Sequence, residues 1–207
     1  AAAAPAYDPI ILDLNGDGIQ TVSIDAGFTF DNRATGFEND TAWVSDTDGF
    51  LAIDSRDDGY IVDGSQLFGT SMKLTNGSSA SDGFAALSQF DSNHDGLISS
   101  LDAAYLKIGV LKGEGTFETL SELGIASISL SSTAARSTDS NQNTQLAIGS
   151  FTWANGQTGF LADYALKDNT MLSSSTAPIE VSAAIEALPS ARGLGTVRDL
   201  QQAMELD

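Results

Sequence analysis

Asp91, Asn93, Asp95 and Asp102 set side-chain oxygens at positions 1, 3, 5 and 12 of a twelve-residue loop, the spacing that encloses a calcium ion. Gly96 at position 6 allows the sharp turn, and the Leu97 carbonyl at position 7 offers a backbone ligand. Alternate residues of a tight loop point their oxygens at one centre, which suits a hard cation. Position 12 is Asp rather than Glu, so its reach is shorter. Without a metal, the same residues would make an Asx-rich surface turn. Asp13, Asn15, Asp17 and the Ile19 carbonyl repeat the pattern, but Ile24 stands where the closing ligand belongs. A cation there would borrow oxygens from Gln20, Asp25, Asp31, Asp40 or water. In a third turn Asp54, Asp58 and the Tyr60 carbonyl fit positions 1, 5 and 7, while Arg56 at position 3 cannot ligate. His94, the single histidine, falls at loop position 4, which faces solvent, and has no evident catalytic partner.

These loops need elements to hold them. Ile10-Ile11-Leu12 reads as a short strand feeding the Asp13 turn. Thr41 to Val44 and Phe50 to Ile53 are apolar runs punctuated by Gly and Asp, hence short strands. Asp82 caps a predicted helix from Gly83 to Phe90, with Phe84, Leu87 and Phe90 on one face. A second helix, about Asp102 to Leu111, would complete a helix–loop–helix of the EF-hand kind. Glu118 to Leu123 reads as a helix stopped by Gly124, and Ile125 to Leu130 as an alternating strand. Ser131 to Asn143 is Ser/Thr/Asn-rich and reads as a loop. Asn155-Gly156 marks a hairpin between Leu146–Trp153 and Gln157–Tyr164. Residues 168–178 read as a linker, followed by weak helices at Ile179–Leu188 and Val197–Leu206. The expected fold class is α+β: small antiparallel sheets, one EF-hand-like helix pair and several Asp-rich loops. The expected division is 1–8 leader, 9–167 body and 168–207 linker with a helical appendage.

Composition agrees with metal-dependent folding. The 207 residues carry 28 acidic against 9 basic side chains, a net charge of −19. Such a chain repels itself when compact, and divalent cations relieve the repulsion, so a loose apo state and a calcium-folded state are expected. The sign of the charge argues against nucleic-acid partners and anionic membrane surfaces. No run is long and apolar enough to span a membrane. Cysteine is absent, which excludes disulfides and thiolate sites and suits a secreted bacterial protein that uses calcium instead.

Tyr7-Asp8-Pro9-Ile10-Ile11-Leu12-Asp13-Leu14-Asn15-Gly16-Asp17-Gly18 resembles the start of the self-processing module of large Frp-type RTX proteins. The same resemblance is carried by Trp43-Val44-Ser45, Asp48-Gly49-Phe50-Leu51, Asp63-Gly64-Ser65-Gln66-Leu67-Phe68-Gly69, Gly83-Phe84-Ala85-Ala86-Leu87 and Leu120-Ser121-Glu122-Leu123-Gly124-Ile125. It implies a secreted, extracellular module at the bacterial surface. Such a module folds on calcium, cuts its own chain at an Asp-Pro bond, and can join the new Asp end to a lysine of an acceptor protein. Gln66 stands where relatives carry Glu, Phe30 to Gly36 replaces an Asp-rich loop, and Lys112-Gly113-Glu114-Gly115 replaces a further calcium loop, so fewer ions are expected.

The Asp8-Pro9 bond has chemistry of its own. The Asp8 carboxylate can reach its own main-chain carbonyl carbon and close a five-membered anhydride, expelling the proline nitrogen. Well-oriented internal attack gains roughly 7–11 kcal/mol of barrier. The fold must twist the tertiary amide, fix the Asp8 side chain and deliver a proton. A neighbouring carboxyl of raised pKa, Asp8 in its acid form, and Tyr7 are the candidate donors. Water or a neutral lysine amine then opens the anhydride; Lys73, Lys107, Lys112 and Lys167 are the lysines present. The alternatives are a non-catalytic calcium-stabilised spacer or adhesion module, and a ligand-binding domain with a cleft lined by Trp43, Trp153 or Tyr164. No hydrolase signature is present.

Overall fold

The computed structural model describes residues 7–206. In chain order its strands are β1 (Ile10–Asp13), β2 (Thr21–Val22), β3 (Thr29–Phe30), β4 (Phe37–Thr41), β5 (Trp43–Val44), β6 (Asp48–Ile53), β7 (Leu97–Ser99), β8 (Ile108–Lys112), β9 (Phe117–Thr119), β10 (Ile125–Ser129), β11 (Thr133–Thr138), β12 (Thr144–Trp153), β13 (Thr158–Ala165) and β14 (Asp168–Ser175). The helices are α1 (Gly83–Ser88), α2 (Leu120–Leu123), α3 (Ala183–Glu186) and α4 (Leu200–Glu205).

Ile10-Ile11-Leu12 is apolar without alternation because β1 is central and covered on both faces. It pairs antiparallel with β13 on one side and β6 on the other. The main sheet runs β7-β10-β12-β13-β1-β6-β8-β9, with β11 on β12. On one face Ile10, Leu12, Leu51 and Leu161 pack under Phe68, Phe84 and Leu87. On the other, Ile11, Phe50 and Ala162 meet Phe30, Trp43 and Leu67. Two smaller sheets, β14-β4-β3 and β2-β5, complete the body.

The expected α+β class with an EF-hand helix pair is overturned: the described residues are mostly β, and no helix exceeds six residues. Helix α1 does lead into the Asp91 loop, capped by Asp82 through its bond from the Ala85 amide (2.8 Å). After the loop the chain enters β7, makes one 3-10 turn at Tyr105–Lys107, and becomes β8. Ile108-Gly109-Val110-Leu111 forms a strand because it inserts between β6 and β9, where Ile108 and Val110 are fully buried. Gly109 lies against the Glu118 carbonyl, with no room for a side chain. Tertiary burial outweighs the weak helical pattern of Ala103 to Leu106.

Two segments that looked like loop and linker are edge strands. Residues 133–138 pair with β12, and β14 pairs with β4. Their polar sequences carry no core signal because they lie at sheet margins, where backbone bonds rather than buried side chains hold them. The chain beyond β14 returns to it through Ser173 N to Gly193 O (2.9 Å) and to β4 through an Arg192–Asp40 ion pair (2.9 Å). The Asn155-Gly156 hairpin joins β12 and β13 as expected, with Gly156 at φ 85°. Among the described residues no helix is long and apolar enough to cross a membrane.

Candidate functional site

Tyr7, Asp8 and Pro9 lie inside the body. Their backbone continues the β1 ladder: Pro9 O accepts from Tyr164 N (3.1 Å) and Tyr7 O from Leu166 N (3.2 Å), while Ile10 N donates to Phe68 O (2.9 Å). Proline has no N–H to lose at this strand entry. Residues 1–6 of the expected leader lie outside the described residues. Asp8 is buried, and its Oδ1 accepts a hydrogen bond from Thr70 N (2.8 Å). Gly69 passes so close that a Cβ there would lie 2.8 Å from the Asp8 carbonyl oxygen and 3.0 Å from its carbon. The bond is therefore clamped between the 69–70 backbone and β13. Burial pushes the Asp8 carboxyl above its ordinary range, the Thr70 bonds pull it back, and Asp82 adds a further upward push.

One neighbour was missed from sequence. Asp163 in β13 stands opposite Ile10. Strand alternation puts Asp8, Ile10 and Asp163 on one face of the sheet. Asp163 is 1% exposed. Its Oδ2 lies 3.4 Å from Gly83 N, and its Oδ1 has no hydrogen-bond partner among the described residues. Burial first, then the charge of Asp8 and lastly that of Asp82, push its pKa up to about 8 against the pull of the Gly83 amide. The signal was legible: one acid inside the apolar run Phe160-Leu161-Ala162-Asp163-Tyr164. Tyr7 points the other way. It packs in the opposite core, its hydroxyl 3.1 Å from Thr41 Oγ1, and burial raises its pKa. The alternation that brings Asp163 to Asp8 thus carries the Tyr7 hydroxyl across the sheet.

The acidic turns share one geometry. The first Asp accepts from the glycine amide five residues on: Asp13 from Gly18 (2.9 Å), Asp31 from Gly36 (2.6 Å), Asp54 from Gly59 (2.8 Å) and Asp91 from Gly96 (3.0 Å). All four glycines have positive φ, so a side chain would be strained there. In the 91–102 loop, Asn93 Oδ1 accepts from Asp95 N and Asp95 Oδ1 from Leu97 N, while Leu97 opens β7. Asp102 closes the loop, Oδ1 on Ser92 N (2.8 Å) and Oδ2 on Ser99 N (2.9 Å). Burial would raise its pKa, but those amides outweigh it and hold the carboxyl low. In the Asp54 turn, Asp58 Oδ1 accepts from Tyr60 N, and the Tyr60 carbonyl takes the Gln66 amide (3.2 Å). Arg56 turns to Asp63 (3.3 Å). Gln66 donates where a glutamate could only accept, so this turn is served by a side-chain amide.

Among the described residues, no three His, Asp or Glu side chains stand close enough to hold a metal by themselves. An oxygen site in these turns also needs Asn and backbone carbonyls. At the Asp13 turn a further buried carboxylate comes close across the ladder. Asp48 in β6 is the direct cross-strand partner of Asp13 and is fully buried. Its Oδ2 accepts from Gln20 N (2.8 Å) and Ser45 Oγ (3.0 Å), while Oδ1 is buried without a partner among the described residues. Burial, and more weakly Asp13, raise its pKa. Two buried carboxyls are thus cross-strand partners at the head of a turn that also carries Asn15, Asp17 and the Ile19 carbonyl, all oxygen groups of the kind calcium takes. Asp48, not Ile24, is the residue that stands across the ladder from Asp13. Of the side chains named from sequence as further donors, Asp31 serves its own turn, Asp40 pairs with Arg192 and Asp25 follows the Ser23 cap, while Gln20 stays at the turn with its backbone amide on Asp48.

Trp43 and Tyr164 are core side chains, whereas Trp153 lines a cleft of about 540 Å³ beside Asp13 and Asn15. A second cleft of about 380 Å³ is lined by Tyr7, Arg33, Thr70, Ser71, Lys73 and Ser79, and so adjoins the residue that holds Asp8. Lys73 Nζ donates to Ser79 Oγ there (2.8 Å). Lys107, Lys112 and Lys167 instead bind Asp57, Glu118 and Gln142.

The chain is 38% identical over 210 residues to iron-regulated protein FrpA of Neisseria meningitidis serogroup C, an alignment covering 97% of this chain and 19% of that protein. It therefore spans about a fifth of that relative's length. The SPM domain model matches residues 10–167, from the first residue of β1 to the end of the stretch that follows β13, and the chain belongs to the SPM domain family.

Proposed function

We propose that this chain is a calcium-folded module of a secreted, RTX-type protein that cleaves its own Asp8–Pro9 bond through an aspartic anhydride. The supporting observation is the clamp: the bond is buried in the β1 ladder, backed by Gly69, with the Asp8 carboxylate held by the Thr70 amide. Holding one oxygen fixes the rotation of the nucleophile. Burial removes the water shell that would blunt its attack. The proline nitrogen leaves, and water or a lysine amine opens the ring. An incoming amine would approach from the cleft beside Thr70, which Lys73 lines, once the bond has parted.

Calcium, when bound, supplies positive charge to the acidic turns. Asp91, Asn93, Asp95, the Leu97 carbonyl and Asp102 would hold one ion; Asp13, Asn15, Asp17, the Ile19 carbonyl and Asp48 would hold another. The Asp13 turn begins where β1 ends, so ordering it orders the strand that carries the scissile bond. The test is intact mass with time in millimolar calcium. Loss of residues 1–8, absent in Asp8→Ala and in chelator, is the expected result. An unchanged mass beside a calcium-induced gain in circular dichroism would establish the spacer reading instead.

A further inference from the structure

We infer that Asp163 is the acid that protonates the departing Pro9 nitrogen. The inference rests on the cleavage reading above. An amide nitrogen leaves only as it gains a proton, and the Asp8–Pro9 bond is shut away from bulk solvent. The donor must therefore come from within the fold. Tyr7 is directed across the sheet, with its hydroxyl engaged by Thr41. Asp163 stands on the Asp8 face, one ladder position from the bond, with one oxygen unengaged.

The charges acting on Asp163 are both negative. Asp8 faces it from the β1 side, and Asp82 from the cap of α1, where its own oxygens are satisfied by Ala85 N (2.8 Å) and Ser81 Oγ (2.8 Å). Two buried carboxyls side by side share one proton, because ionising both is costly. Thr70 N–H stabilises the charge on Asp8, whereas Asp163 has only a long contact to Gly83 N. The proton therefore resides on Asp163 and the charge on Asp8, as the reaction requires.

The step balances. An Asp8 side-chain oxygen forms a bond to the Asp8 carbonyl carbon, and the carbon–nitrogen bond to Pro9 breaks. The nitrogen's electron pair takes the Asp163 proton. The products are a neutral cyclic anhydride, a secondary amine at Pro9 and an Asp163 carboxylate. One negative charge has moved from Asp8 to Asp163, and none has been created in the buried site. Opening of the anhydride by water then yields the acid that returns the proton.

The test compares the wild type, Asp163→Asn and Asp163→Glu in saturating calcium, following cleavage by intact mass from pH 5 to 10 and folding by circular dichroism. The sign follows from the raised pKa of Asp163: the acid form persists from its ordinary range up to about 8, so wild-type cleavage falls as pH rises through that value. Asp163→Asn should fold, cleave roughly 10²–10⁴-fold more slowly, and lack that falling limb. Asp163→Glu should restore part of the rate with a displaced limb. A folded Asp163→Asn variant that cleaves at the wild-type rate, or keeps the limb, overturns the inference while leaving cleavage intact. If Asp163→Asn fails to fold, the wild-type profile decides: no falling limb near pH 8 overturns the assignment. A wild type uncut at every pH would sink the cleavage reading itself.

Discussion

Gly69→Ala puts a methyl group against the scissile peptide. A Cβ at that position meets the Asp8 carbonyl oxygen at 2.8 Å, the Asp8 carbonyl carbon at 3.0 Å and the Pro9 Cα at 3.2 Å, all backbone atoms that cannot swing aside. Gly69 is outside the left-handed region, so alanine meets no dihedral strain there. Relief requires the Asp8–Pro9 peptide to move by roughly half an ångström, since comfortable carbon contacts begin near 3.5 Å. Overpacking of this size costs about 1–3 kcal/mol of stability. Misplacing reacting atoms by about 1 Å costs roughly 10²-fold, so cleavage should slow about tenfold or more. The assay is intact mass against time at saturating calcium, normalised to the folded fraction from circular dichroism. Gly49→Ala is the control. It overpacks the same sheet against Val110 and Leu111 but lies away from the bond. It should lower stability without slowing cleavage per folded molecule. If Gly69→Ala folds and cleaves at the wild-type rate, or Gly49→Ala slows cleavage equally, the clamp does not control the reaction.

Two further outcomes are expected. Asp48→Asn should weaken terbium or calcium binding at the Asp13 turn by about tenfold or more, because it takes one negative charge from the donor set and leaves only a neutral amide oxygen in its place; unchanged binding would remove Asp48 from the ligand set. Asp91→Ala combined with Asp95→Ala should raise the calcium concentration needed for folding, read by circular dichroism, and an unmoved midpoint would show that the loop holds no structural ion.

Local chemistry was legible from residue order. Asp82 before Gly83 announced a cap, Gly124 after Glu118 to Leu123 announced the end of a helical turn, and Asn155-Gly156 announced a hairpin; each depends on backbone bonds made within a few residues. The acidic turns were legible for the same reason, since each first Asp finds its amide partners within five residues. The segment after Asp102 was misread because its strand character comes from β6 and β9, which are distant in sequence. Residues 133–138 and 168–175 were misread because edge strands need no apolar alternation.

The site divides along the same line. Residue types and spacing alone determined the Asp8-Pro9 bond, the oxygen-rich turns and the overall acidity, because these are properties of neighbours along the chain. Only the tertiary structure decided which carboxyls share a site. Asp163 reaches Asp8 across 155 positions of sequence (163 minus 8) through the β1–β13 register, and Asp48 reaches Asp13 through the β1–β6 register. Register follows from burying two faces of one central strand, an energy summed over the whole sheet that no short segment carries by itself.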